Sequence, residues 1–438
     1  MSDIPLDIMQ DIFKHFSSPL RLGAATRNFP WYLGHVCSQW RVVFFSMRST
    51  FWNRIKFDWY DVTRLGQAQE IVAFFLDRTC GAPLSLEMRL LRQCYPYVRP
   101  ILVDLIVHSE QWEELDISLE PSELRFLCGI KGRLPLLRKL RITVMKDTNR
   151  RSTDRAIVPS TVVNVFGDAP LLTNAMLWNV PLWQSKFNWS SLTVVNFQEP
   201  LDSPKNILHT LREIINLVEL TIDHEFPDGL DSEGHRLIHL PRLEDLSITD
   251  EAFLTILETP SLQQLRISYH YSQCLDSAGI ITVFLRRSGI KLSTLIIEQG
   301  LAETVKEILR FTPELDKLAL YEVLDMADVF KWLAGTGTLR CSNLTVLWAD
   351  PMYGEHNKDL EALHDMITRR NHLDDVREPS PRKLIIGCYK DESRTANLEL
   401  MCRKKGISLT FCRHGLGALT PSVSCGMSKS QIAHSWMV

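Results

Sequence analysis

The side chains best suited to covalent or acid–base chemistry in this sequence are its 13 histidines and 10 cysteines, and neither set is spaced to work together. His209, His224, His235, His239 and His364 are dispersed. Nothing puts two of them with a carboxylate on one helical face, so each reads as a surface or packed histidine rather than a ligand or base. Cys37 is the one thiol that could be mistaken for a nucleophile. It sits between Val36 and Trp40 on an apolar stripe, where burial raises a thiol pKa and leaves it inert. No Cys-x-x-Cys pair occurs, which argues against a zinc site or a disulfide framework and predicts that most thiols are buried and reduced. His-Glu-x-x-His, phosphate-loop, Gly-x-Ser-x-Gly and Gly-x-Gly-x-x-Gly patterns are all missing. Gly335-Thr336-Gly337 lacks both the further glycine and the strand context. The expectation is a non-catalytic chain with no catalytic residues, no cofactor and no metal.

Binding chemistry is better represented. Trp112, Trp178, Trp183, Trp189, Trp332 and Trp348 fall within or beside candidate strands, where a tryptophan is either a core residue or a hot spot for a partner. Trp348 is balanced between the two, and the others favour the core. Arg141, Arg266 and Arg340 could read a phosphate, although single arginines are usually solvated. The 49 basic and 52 acidic residues are interspersed and leave a net charge of −3. This is no counterion-displacing surface, so nucleic acid is not an expected partner. Short basic runs such as Arg286-Arg287, Arg369-Arg370 and Arg403-Lys404-Lys405 close helical patterns and suit the helix C-terminal dipole.

The elements that would position such residues begin at the N-terminus. Pro5 suits a first helical turn and Asp7 the positive end of its dipole, and Ile8, Met9, Ile12, Phe13 and Phe16 share one face. After the breaker Asn28-Phe29-Pro30, a second stripe runs through Leu33, Val36, Cys37, Trp40, Val43, Phe44 and Met47. Two short helices with Phe51-Trp52 hold more apolar surface than so small a bundle buries alone. Some of that surface wants a partner.

The three pieces Ile4-Pro5-Leu6-Asp7-Ile8-Met9-Gln10-Asp11-Ile12-Phe13, Val36-Cys37-Ser38-Gln39-Trp40-Arg41 and Phe51-Trp52 resemble the F-box of fungal proteins. Ile4 and Asp7 stand where the family has Leu and Glu, and the link from Ser17 to Pro30 is longer than in the compact motif. The resemblance implies a small helical bundle that docks on the Skp adaptor and, through it, on cullin. Pro5, Leu6, Ile8, Ile12, Phe13, Val36, Trp40 and Trp52 would form or support that adaptor contact. The chain would then be the substrate-recruiting subunit of a Skp/cullin/F-box ubiquitin ligase with an unidentified target protein. The alternatives are a repeat scaffold that sequesters a partner outside any ligase, and, further off, an enzyme with an unrecognised site.

Beyond the first sixty residues, Ile55 and Phe57 between Trp52 and Trp59, and Pro83 to Met88, read as strands, with helical patterns at Ala68 to Arg78 and Val98 to His108. From residue 112 one phrase recurs, apolar, two others, apolar, one other, apolar. Its ten versions run from Trp112-Leu115-Ile117 to Leu344-Leu347-Ala349, with weaker closing forms at Lys383 to Ile386 and Ile407 to Phe411. Steps between central residues are 25, 35, 20, 25, 26, 19, 30, 23 and 29, straddling the period of leucine-rich repeats. Helical patterns fill several gaps, at Ile207 to Ile215, Ala252 to Glu258, Ala278 to Arg287, Ala302 to Phe311, Leu360 to Arg369 and Ala396 to Lys404. One strand and one helix per unit makes a solenoid that folds as a block. An ordinary doubly wound domain would alternate elements without repeating a phrase.

The expected fold class is therefore α/β, a small helical F-box followed by a degenerate strand-helix, leucine-rich-repeat-like solenoid. Expected boundaries are 1–60 for the F-box, 61–111 for a connecting strand-helix segment, 112–412 for the solenoid and 413–438 for a weakly ordered tail. Met1-Ser2-Asp3 opens no apolar signal region and no run approaches a membrane span. A cytoplasmic or nuclear protein without a membrane partner is expected.

Overall fold

The computed structural model describes residues 4–22, 29–58, 68–89, 95–121, 124–145, 164–182, 187–200, 203–224, 236–269, 277–335, 341–350, 356–370, 381–387 and 392–412. The expected tail, Trp183, His235 and Arg340 lie outside these residues. The chain forms two compact units, Met1–Leu217 and Val218–Val438.

In the first unit, strands β1 (Leu20–Leu22), β2 (Arg54–Asp58), β3 (Leu84–Arg89), β4 (Trp112–Leu119), β5 (Lys139–Val144), β6 (Asn174–Trp178) and β7 (Val194–Gln198) pair in parallel and in chain order. Register is set by the repeated phrase, because Leu20, Ile55, Leu86, Leu115, Leu140, Ala175 and Val195 stand opposite one another and all are buried. A slip of one residue would turn this row to the other face. The strand ladder thus begins at Leu20, inside the span expected to be a separate helical bundle. Leu20-Arg21-Leu22, three residues of alternation in the Ser17–Pro30 link, pair with Ile55-Lys56-Phe57 of β2.

The second unit holds β8 (Glu219–Asp223), β9 (Ile238–His239), β10 (Asp245–Ile248), β11 (Leu257–Glu258), β12 (Gln264–Ser268), β13 (Thr294–Glu298), β14 (Lys317–Tyr321), β15 (Val346–Asp350), β16 (Lys383–Gly387) and β17 (Ser408–Cys412). All but β9 and β11 form one parallel ladder, and those two pair with each other. Leu220, Leu246, Leu265, Leu295, Leu318, Leu347, Leu384 and Leu409 are in register, and all except the half-buried Leu409 are buried. Each such leucine contributes about 1.5–3 kcal/mol by leaving water. All ten versions of the phrase, and both closing forms, fall on strands.

Helices Ser277–Ser288, Ala302–Phe311, Met326–Leu333, His356–Arg370 and Glu392–Lys405 alternate with β12 to β17. Among the described residues the two shortest steps hold 3-10 turns and no α-helix, Trp189–Ser191 before β7 and Glu251–Thr255 before β11. The helix expected at Ala252 to Glu258 is therefore a 3-10 turn followed by a strand.

Candidate functional site

The N-terminal helices give the best-defined surface. Helix α1 (Leu6–Lys14) starts where Pro5 O accepts from the Met9 N–H at 3.1 Å, and the missing N–H of Pro5 costs nothing there. Lys14 Nζ donates to Asp11 at 2.8 Å and holds that carboxyl below its ordinary pKa. Met9 and Phe13 are buried, one helical turn apart. Ile8 and Ile12 run as a second row beside them and are exposed, as are Pro5 and Leu6, the last at 56%. Helix α2 (Ser38–Ser46) supplies the other wall, where Trp40 is half-buried and meets Phe13 edge-on with ring centroids 5.0 Å apart. Val36 and Val42 lie open at 57% and 69%.

The expected stripe through residues 33 to 47 is split. Trp31–His35 forms a 3-10 turn and α2 begins only at Ser38, so Val36 and Cys37 fall out of phase with Val43 and Phe44, which are buried. Cys37 is exposed rather than buried. It caps α2 instead, its Sγ accepting from the Trp40 N–H at 3.5 Å. Arg41 Nε donates to Gly34 O at 2.8 Å and ties the turn to the helix.

Trp52 has no exposed surface, so it supports the site and cannot touch a partner. Its indole N–H donates to Phe44 O at 3.3 Å, and its rings pack among Phe29, Trp31, Phe44, Phe45, Phe74 and Phe75. Phe74 and Phe75 belong to the helix Ala68–Thr79, so this box joins the N-terminal helices to the following repeat. Phe13 is likewise buried and is a support. Of the eight residues singled out in the sequence, Pro5, Leu6, Ile8, Ile12 and Val36 are open to a partner, Trp40 is half open, and Phe13 and Trp52 stand behind them.

The outward strand faces tell less. Lys56 meets Glu87 at 2.6 Å, Lys139 meets Glu114 at 2.8 Å, and Arg141 meets Asp116 at 3.2 Å. Burial is the largest influence on Asp116 and raises its pKa, with Arg141 opposing. Arg266 is buried against Glu298 at 2.8 Å. Both arginines named as phosphate readers and described here are thus committed to carboxylates. Trp178 is partly exposed at the end of β6, Trp332 is half-buried, and Trp112, Trp189 and Trp348 are buried.

Cys37, Cys80 and Cys128 are exposed, while burial pushes the thiols of Cys341 and Cys402 up to about 11. The expected burial of most thiols fails among these five, since Cys80 sits in a turn and Cys128 on the open side of the 3-10 helix Leu124–Ile130. Among the described residues no three His, Cys, Asp or Glu side chains are grouped to hold a metal ion, and no helix is long and apolar enough to cross a membrane. A groove of about 830 Å³ separates His356–Arg370 from Glu392–Lys405, lined by Glu361, His364, Asp365, Leu400, Met401 and Lys404 among others.

No family model matches this chain, and no curated protein does. Among solved structures it is similar to an internalin from Listeria monocytogenes at 12% identity, over 68% of this chain and 82% of that one, with a TM-score of 0.29.

Proposed function

We infer that the N-terminal helices dock a Skp-type adaptor and that the chain is the substrate-recruiting, non-catalytic subunit of a Skp/cullin/F-box ubiquitin ligase. The observation that carries this reading is the concentration of open apolar side chains between residues 4 and 42. Ile4, Leu6, Ile8, Ile12, Phe16, Tyr32, Val36 and Val42 are all exposed, over a base that Trp52 and Phe13 make rigid. Such a surface costs solubility unless a partner covers it. Burying each of these side chains would contribute about 1.5–3 kcal/mol before ordering costs. The resemblance of the same residues to the F-box is what makes a Skp-type adaptor the proposed partner.

In this reading catalysis belongs to the ubiquitin-carrying enzyme brought by the cullin. The chain acts by proximity, holding a target lysine at high effective concentration near the thioester. The repeat strands would present the target. A pull-down with purified Skp adaptor and cullin tests both steps. Retention of both supports a ligase subunit, adaptor without cullin a scaffold, and neither a structural role for the N-terminal helices.

A further inference from the structure

The helix Ala68–Thr79 buries Val72, Phe75, Leu76 and Thr79 and leaves Phe74 and Arg78, one turn apart, on its flank. Phe74 is exposed. Beside Arg78 stands Phe45 of α2, half-buried and stacked on Trp52 with ring centroids 5.6 Å apart and planes 23° from parallel. Phe74 also meets Trp52, edge-on at 6.0 Å, so one buried indole fixes both rings. The Arg78 guanidinium lies over each of them, its central carbon 4.8 Å from the centre of the Phe45 ring and 5.0 Å from that of Phe74. Two aromatic faces hold the guanidinium in one orientation and take the place of some of its water.

What this arginine lacks is an acceptor. Its Nε is buried and makes no hydrogen bond among the described residues, and the neighbouring carboxylate of Asp77 comes no closer to it than 4.0 Å, beyond hydrogen-bond range. The side chain as a whole still keeps 40% of its surface open. Nε has thus lost its water without gaining a partner, which leaves the cation short of compensation. Closeness to the helix C-terminus accounts for the charge of Arg78 but not for the two rings that orient it. A planar fork held still before its ligand arrives loses little freedom on binding a planar anion.

The surroundings narrow the ligand. Residues 38–51, which form α2 and the short helix Arg48–Phe51, hold Arg41 and Arg48, both exposed, and no Asp or Glu. Val42 is exposed and precedes Phe45 by three residues on α2, so an open apolar step leads to the clamped arginine. Basic and apolar groups together complement a segment that is acidic and apolar. A phosphate calls for several converging cations, whereas one fork beside Asp77 suits the single charge of a carboxylate. We propose that Arg78 seats a carboxylate, an Asp or Glu side chain of the docked adaptor whose apolar neighbours lie on Val42 and Phe74. The proposal rests on the adaptor reading above. It carries the docking surface from α1 and α2 onto the helix Ala68–Thr79, across the joint between the N-terminal helices and the repeats.

The test is calorimetric titration of purified Skp adaptor into the full chain and into its Arg78→Gln and Arg78→Lys variants, with denaturant unfolding of each. The natural chain should bind, and both variants should bind about tenfold more weakly or worse, since Gln lacks the charge and Lys lacks the fork. Arg78→Lys keeps a cation over the two rings and serves alone should Arg78→Gln fail to fold. The adaptor's aspartates and glutamates are then replaced by asparagine and glutamine one at a time. One replacement should weaken binding to the natural chain by about fivefold or more and leave binding to the Arg78→Lys variant unchanged. Natural affinity in either folded variant, or losses that combine independently at every carboxylate, would overturn the seat and leave the adaptor reading standing. No binding by the natural chain would overturn both.

Discussion

At the scale of single residues, environment rather than residue type decides behaviour. Trp52 and Trp178 are both tryptophans beside repeat strands, but one is sealed in an aromatic box and the other is partly open. Replacing Trp52 by Ala should cost about 3–5 kcal/mol in denaturant unfolding, since the cavity removes packing from both sides of the box. Ile8→Asp on the open row should change stability by no more than about 0.5 kcal/mol. The thiols divide in the same way. Cys37, Cys80 and Cys128 should be alkylated readily in the native chain at pH 8, as read by intact mass. Cys341 and Cys402, with thiols near 11, should stay unlabelled until denaturant is added. Cys37 shows why this was hard to read beforehand. Apolar spacing placed it on a buried stripe, but a 3-10 turn advances 120° per residue where an α-helix advances 100°, and that difference carried Val36 and Cys37 out to solvent.

At the scale of elements, neighbouring repeats are held by arginines that satisfy carbonyls of the unit before them. Arg287 donates to Thr255 O at 3.0 Å and Leu257 O at 2.6 Å, and Arg370 donates to Cys341 O at 2.7 Å and Leu333 O at 3.4 Å. Burial lowers the pKa of both guanidinium groups. In the sequence these arginines read as helix-dipole partners, because no local pattern shows a carbonyl some thirty residues away. Arg370→Ala should lower stability by about 1–3 kcal/mol through carbonyls left without donors. Arg138→Ala, an exposed residue, serves as the near-neutral control. The Glu114–Lys139 pair sets a pH dependence. Lys139 lowers the Glu114 pKa in the folded chain, so the pair stabilises at neutral pH and that contribution is lost as pH falls below the ordinary value of 4.5. The pair is partly exposed and its effect is small. Glu114→Gln should narrow the gap between urea midpoints measured at pH 7 and pH 4.

At the scale of the whole molecule, the α/β repeat was the most legible feature. A phrase that recurs with a period near the leucine-rich-repeat length has one physical meaning, a parallel strand whose alternate side chains face a shared core, and each version landed in register. What the phrase could not show was its own beginning. Leu20-Arg21-Leu22 is too short to stand out, and the strand exists because Ile55 and Phe57 lie beside it. The candidate site was legible as residue types but not as orientation, since one apolar face of α1 divides into a buried row, Met9 and Phe13, and an open one, Ile8 and Ile12. That open row is the centre of the adaptor reading. The most direct measurement is a calorimetric titration of purified Skp adaptor into the full chain and into an Ile8→Asp, Ile12→Asp variant, with denaturant unfolding of both. The account predicts a saturable one-to-one complex for the natural chain and at least a hundredfold weaker binding, about 2.7 kcal/mol or more, for a variant of unchanged stability. No heat of binding from the natural chain, or equal affinity in the variant, would contradict it.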